Sequence, residues 1–279
     1  MQMANLADQY PKPFNDAVAA MITAVGGEDN VQTIALSEQV LIHRRRDGAR
    51  WRNPVNGRRG FKTSTFLSSK MPGRRIQLES GGEEALFMWA EVYASIIAYT
   101  EQSDLIEIVD DEGAAWSVTD CFAELNCGTT AWLEGKYAAR LVYESEGPPR
   151  VVLGLDPDTT HRAARFAQAF AKAGYSYVLI NELWCRHPNT IKNVEFAFAA
   201  KVIRLTREEE EAIIRLVRDN DGATIGHCAA LFATEDCPTE KVFAAVAQGL
   251  LEIDFDEPFS LANSVMLPRQ AYWLRRSAQ

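Results

Sequence analysis

Three residues near the middle of the chain have the types and spacing of a metal-assisted hydrolytic centre: Asp120, Glu134 and Lys136. Between the first two lies Asn126-Cys127-Gly128. It reads as a three-residue hairpin loop whose last residue takes a left-handed conformation, which glycine adopts without steric cost. Such a loop sets Leu125 opposite Thr129, and counting outward sets Asp120 opposite Glu134. Carboxylates directly opposed across strands repel, and the neighbours Val118, Phe122, Ala131 and Leu133 are apolar. Stability alone gives no reason for such a pair. A hard divalent cation removes the conflict, because magnesium takes oxygen ligands and keeps water for substrate phosphates. Lys136 follows Glu134 by two residues and so projects from the same strand face. There its ammonium can orient an attacking water and stabilise charge developing at phosphorus. Glu84, on the preceding apolar segment, is the expected further ligand or proton acceptor, with Glu83 as its competitor. Glu-x-Lys by itself is a common pattern and usually an exposed ion-paired face. The specific signal is an Asp on one strand followed, across a tight turn, by Glu-x-Lys on the next.

The elements that must hold these residues follow from periodicity. Residues 83–93 place Leu86, Phe87, Trp89, Ala90 and Tyr93 at helical spacing. Strand patterns follow at 105–109, 116–125 and 130–137, separated by the turn at 110–113 and the hairpin loop. After a short strand at 151–155 comes a helix over 160–173, stopped by Gly174, and then a buried strand at 175–180. Helix, three strands, helix, strand predicts an α/β domain with a mixed sheet flanked by helices. Farther on, Thr206-Arg207-Glu208-Glu209 is a capping box opening a helix. Helices over 224–232 and from Pro238 follow, then strands at 251–255 and 260–267 around Asp256-Glu257-Pro258. Three helices and a hairpin predict a C-terminal winged-helix-like domain. Residues 1–43 read as an extension with a short helix near 14–25 closed by Gly26-Gly27. The expected division is an N-terminal extension and basic arm over 1–59, a catalytic domain over 60–204, and the winged-helix-like domain over 205–279.

Charge is unevenly spread. The chain carries 29 basic and 38 acidic residues, net −9, yet Arg44 to Arg75 holds eleven Lys/Arg and one acid. A concentrated basic segment on an acidic body suits phosphate contact, although a solvated loop fits the same composition. Arg58, Arg59, Lys62, Lys70, Arg74 and Arg75 are the candidate DNA contacts. No run of eighteen apolar residues exists, which predicts no membrane span. No signal-peptide pattern opens the chain, so a cytoplasmic location is expected. Five cysteines without a Cys-x-x-Cys pair argue against a disulfide framework. His227, Cys228 and Cys237 match no common zinc spacing. Phe166, Phe170, Tyr175 and Tyr177 read as core, His161 and His187 as caps or surface residues, and His43 as part of the basic arm.

Several segments, in order, resemble TnsA-type transposition endonucleases of the PD-(D/E)xK nuclease superfamily. These are Gly60-Phe61-Lys62 through Ser68-Ser69-Lys70, and Gly73-Arg74-Arg75-Ile76-Gln77-Leu78-Glu79-Ser80 leading to Glu84. Glu101-Gln102 follows, with Ser103 where the family has proline. Then come Val118-Thr119-Asp120-Cys121-Phe122, Leu133-Glu134-Gly135-Lys136, and Ile180-Asn181-Glu182-Leu183-Trp184-Cys185-Arg186 with Asn193. Thr119 replaces a proline of the family pattern, and Cys121 adds a residue before Phe122. The similarity spans roughly residues 60 to 267. It implies a restriction-endonuclease-like fold in which Glu84, Asp120 and Glu134 bind Mg2+, or Mn2+, and Lys136 assists hydrolysis. It further implies cutting of the 5′, non-transferred strands of double-stranded DNA at transposon ends, beside a TnsB-like transposase and a TnsC-like ATPase regulator. A stand-alone nuclease of the same fold in defence or repair is the alternative, and a non-catalytic binding module a third reading.

Overall fold

The computed structural model describes residues 12–52, 64–71, 73–78, 80–136, 139–142, 150–153, 157–181 and 187–268. These form a mixed α/β structure organised by two four-stranded sheets. The first runs in the order β1 (Val31–Ser37), β2 (Val40–Arg45), β6 (Asp104–Asp110), β7 (Gly113–Val118), all antiparallel. The second runs β12 (Ser176–Asn181), β9 (Thr130–Lys136), β8 (Cys121–Leu125), β5 (Ile96–Glu101). In it β12 lies parallel to β9 and the other pairs are antiparallel. Short hairpins are made by β3 (Ser64–Leu67) with β4 (Arg75–Leu78) and by β10 (Ala139–Val142) with β11 (Arg150–Leu153).

Helices cover both sheets. Helix α1 (Asp16–Ala24) is capped by the Asn15 side chain, and Gly26 at φ 109° turns the chain away from its end. Val18 and Ile22 of α1 bury against Val31, Leu105 and Val118 on one face of the first sheet. The other face supplies Val40, Ile42, Ile106 and Ile108 to a core shared with Trp132, Tyr177 and Phe166 and Phe170 of α3 (Pro157–Lys172). Helix α2 (Gly81–Val92) packs on the far side of the second sheet together with α4 (Pro188–Ala200). The same core continues without a break into α5 (Arg207–Asp219), α6 (Ile225–Ala230) and α7 (Pro238–Ala247).

The most consequential difference from the sequence reading is at 116–125. One strand was expected there; two are found, in different sheets, with Thr119 and Asp120 between them. Both halves have β composition, so only the partner strand reveals the break. β5 and β6 switch sheets at the same level, and the pairing shifts by one residue between Glu101↔Cys121 and Leu105↔Val118. The extra residue is absorbed at Gln102, the one non-glycine among the described residues with a positive φ, 44°. This is bulge geometry, which bends a strand and increases its twist. Backbone bonds from Gln102 N to Asp120 O (2.8 Å) and from Thr119 N to Asp104 O (3.2 Å) carry the ribbon across the switch.

Residues expected in an N-terminal extension are also part of the sheet: β2 pairs with β6. His43 lies fully buried rather than in a basic arm, with Nε2 2.8 Å from Glu107 and Nδ1 2.9 Å from Thr33 Oγ1. Glu107 also accepts from Asn15 N (2.8 Å), which fixes the start of α1. At the C-terminal end the capping box at Thr206 and Glu209 is present as expected. The expected hairpin strands shrink to the two-residue pairs β13 (Glu252–Ile253) and β14 (Val265–Met266). Pro258, which has no N–H, lies in the long connection between them. Helix α4 had no counterpart in the sequence reading. Its Asn193 donates to Phe255 O (2.9 Å) and Glu257 O (2.8 Å), holding that connection. Among the described residues no helix is long and apolar enough to cross a membrane, and Cys121, Cys127, Cys228 and Cys237 are free thiols.

Asp104 joins the two sheets. Fully buried on β6, it accepts two 2.7 Å bonds from Arg44 on β2 and one of 2.7 Å from Trp132 Nε1 on β9. Removing it strands a buried indole N–H and an arginine. Asp104→Ala is expected to destabilise the fold by about 3–5 kcal/mol in chemical denaturation. A loss below about 1 kcal/mol would show that the sheets hold together without this joint.

Candidate active site

The switch between sheets creates the site. Ladder pairing of β8 with β9 ends at Cys121↔Leu133, because the chain before Cys121 has turned toward the first sheet. Beyond that fork Gly135 N would lack a strand partner. The Asp120 carboxylate takes the place of the missing ladder, and its Oδ2 accepts from Gly135 N at 2.8 Å. The hairpin behind the fork matches the sequence reading. Gly128 has φ 79°, and Leu125 N donates to Thr129 O at 2.9 Å. The observed register, extended by one pair, sets Asp120 against Glu134.

Glu134 is buried in the fork and held from three elements. Tyr177 on β12 donates its phenol to Glu134 Oε2, Ser117 on β7 donates to the same oxygen at 3.3 Å, and Lys136 forms an ion pair with Oε1. Lys136 remains about one-third exposed, so its head reaches both the carboxylate and solvent. The fork is an unfavourable place for negative charge. Burial first, and then the field of Glu134, push the Asp120 carboxyl up to about 7; Glu83 adds to the rise, while Lys136 and the Gly135 N–H oppose it. Burial likewise pushes the Tyr177 phenol far above its ordinary range, so it stays a proton donor at any physiological pH.

The helix that faces the fork favours Glu83 over Glu84. A side chain at Gly135 would meet Leu86 at 3.4 Å and Asp120 Oδ2 at 3.7 Å, so the Leu86 side of α2 faces the fork. At roughly 100° per residue, Glu83 lies about 60° from Leu86 around the helix and Glu84 about 160°. Glu84 belongs to the stripe that ends in Glu91, a buried carboxylate bonded to Ser68, Ser69 and Tyr99. The sequence reading had the helix and the competing pair, but a one-residue choice depends on helix phase. Tyr177 has the sequence pattern of a core residue, and nothing in the local pattern marks Ser117. Tyr177 reaches Glu134 through the parallel pairing of Leu179 with Glu134, which brings together residues far apart in the chain.

The donor set suits a hard cation. Two interacting carboxylates with a third on the facing helix, beside a partly exposed ammonium, match the way magnesium is held by one or two carboxylates while its other positions serve water and substrate phosphate. Among the described residues no group of three or more His, Cys, Asp or Glu side chains forms a ready-made cage. Glu134 and Asp120 would therefore hold such an ion together with solvent and substrate oxygens.

Of the expected DNA contacts, Arg58, Arg59 and Lys62 lie outside the described residues. Lys70 is turned inward: its ammonium donates to Ala90 O (2.9 Å) and Tyr93 O (2.7 Å) at the end of α2, and burial pushes it down to about 7. Arg74 bonds Gly48 O, and Arg75 is exposed on β4. Arg50 is tied to the buried Glu101. His161 pairs with Glu112 at the surface, and His187 is the residue that precedes α4.

Neither the comparison with protein-family models nor that with curated proteins finds a match to this chain.

The Asp120 shift fixes a pH dependence of stability. An acid whose folded pKa is raised binds its proton more tightly in the folded state. Its ionisation therefore costs stability as pH rises from the unfolded value near 4 through about 7, and the cost is complete above that. With divalent ions chelated, Asp120→Asn is expected to stabilise the protein at pH 8 by on the order of 1–3 kcal/mol, with the gain vanishing toward pH 4. Thermal unfolding across that range measures it. An equal effect at both ends would mean that Asp120 is not held in an environment hostile to its charge.

Proposed function

We propose that this chain is a magnesium-dependent DNA endonuclease of the TnsA-like kind, cutting the 5′, non-transferred strands at transposon ends beside a TnsB-like transposase and a TnsC-like ATPase regulator. The observation that carries the reading is the fork, where Asp120, Glu134 and Lys136 meet as the two-strand pattern requires. In this reading the domain is a restriction-endonuclease-like fold, and the helices and hairpin after residue 205 form a winged-helix-like unit. The resemblance supplies the identity of the substrate; the geometry supports the hydrolytic chemistry.

Each residue then has a definite task. Asp120 and Glu134 hold the cation, and Glu83 is the helix-borne carboxylate best placed to complete the set. Bound there, Mg2+ or Mn2+ would supply Lewis acidity at the scissile phosphate. Lys136, anchored by Glu134 and partly exposed, stabilises negative charge developing on phosphate oxygens and orients the attacking water. The exposed Arg75 serves phosphate contact, which gives affinity but no sequence choice.

The test is nicking of end-containing DNA by the full-length chain with and without Mg2+ and its cognate transposase. Wild type is expected to cut the 5′ strands only with both present. Asp120→Ala should lower the rate by at least about 10³-fold and Lys136→Ala by about 10²-fold. Glu83→Gln should cost at least about tenfold more than Glu84→Gln. Vigorous cutting of unrelated DNA by the chain alone would favour the stand-alone nuclease, and full activity in Asp120→Ala would end the nuclease reading.

A further inference from the structure

The Glu134 carboxylate is not held symmetrically. Each carboxylate oxygen offers about two acceptor positions. On Oε2 both are directed at protein donors, the Tyr177 phenol and the Ser117 hydroxyl. On Oε1 the only contact described is the ammonium of Lys136. The donors on Oε2 are rigid. Tyr177 is buried on β12 and wedged against the rings of Phe166 and Phe170, at 5.3 and 5.5 Å between centroids. Ser117 is 4% exposed and sits on β7, in the other sheet. Glu134 itself is fixed by the ladder to β12 on one side of β9. The carboxylate therefore cannot rotate to offer both oxygens without leaving a buried hydroxyl unpartnered, which is unfavourable.

We infer that Tyr177 and Ser117 make Glu134 a one-oxygen ligand and thereby set the site's preference for a small divalent cation over a large one. Calcium takes six to eight oxygens and commonly binds a carboxylate through both. Magnesium takes six at short distance in a strict octahedron and is served by single oxygens. A carboxylate with one face occupied by protein hydroxyls suits the second ion and handicaps the first. Tyr177 and Ser117 are thus positioning residues: they touch neither ion nor substrate and act through the geometry of Glu134. This rests on the metal-dependent reading above and adds the device by which the site chooses its ion.

The test measures ion binding directly, by isothermal titration calorimetry of the full-length protein with Mg2+, Mn2+ and Ca2+, apart from any cleavage assay. The variants are Tyr177→Phe and Ser117→Ala, each of which removes a hydroxyl and keeps the packing, with Asp120→Asn as the control for the site itself. Wild type is expected to bind Mg2+ and Mn2+ and to disfavour Ca2+. Tyr177→Phe should shift the ratio of Ca2+ to Mg2+ affinity toward Ca2+ by at least tenfold, and Ser117→Ala should shift it the same way by less. General loosening of the core would weaken all three ions together and leave the ratio in place, so an unchanged ratio overturns the inference. If wild type binds and Asp120→Asn does not, but the ratio is unmoved in Tyr177→Phe, the metal site survives and only the selectivity device falls. If wild type binds no divalent ion, both fall.

Discussion

The whole arrangement depends on two neighbouring strands changing sheets at the same height. A straight ribbon through β5–β6 and β7–β8 would place Thr119 and Asp120 as ordinary ladder residues with side chains alternating up and down. The bulge at Gln102 and Ser103 bends it, and past Leu133 β9 keeps its pairing with β12 but loses its partner on the β8 side. A buried backbone N–H without a partner is costly, so the gap demands an acceptor. Asp120 is that acceptor. The same turn that unpairs the backbone delivers the carboxylate, and it brings Ser117 of one sheet and Tyr177 of the other onto Glu134.

The cost of the fork is borne by its surroundings. A carboxylate pushed up to about 7 is a group the fold would be more stable without at neutral pH. Around it stand elements whose polar groups are fully engaged: Asp104 with Arg44 and Trp132, Glu107 with His43 and the start of α1, and Glu91 with two serines and a tyrosine. Each of these buried carboxylates is surrounded by donors. Among the described residues Asp120 accepts from one backbone N–H, and the acidic neighbours Glu134 and Glu83 raise it against the opposing Lys136.

What could be read from the sequence was whatever local rules determine. Gly128 fixed the hairpin loop and with it the Asp120–Glu134 register. Thr206 and Glu209 marked a helix start correctly. What could not be read depends on partners remote in the chain. Residues 116–125 look like one strand because both halves carry the same pattern, and the break is imposed by a bulge at a residue, Gln102, that local preference would not choose for a positive φ. β1 and β2 look like an appendage because β6, the strand that joins β2 to the sheet, lies some sixty residues downstream of it. The phase of α2, which separates Glu83 from Glu84, is set by Leu86 meeting Gly135. Lys70 was counted with the basic surface because composition does not reveal that two helix carbonyls await it.

The parallel pairing of β12 with β9 has a consequence for biosynthesis. While the ribosome is still adding residues before 176, the nascent polypeptide already contains both fork carboxylates but not the strand that carries Tyr177. Parallel pairing at such long sequence separation is intrinsically slow to form, because loop-closure entropy must be overcome first. The strand of the second sheet synthesised last is also the one that orients Glu134, and a half-finished chain carries an acidic pair without its alignment. The alignment of Glu134 and the completion of the sheet arrive together.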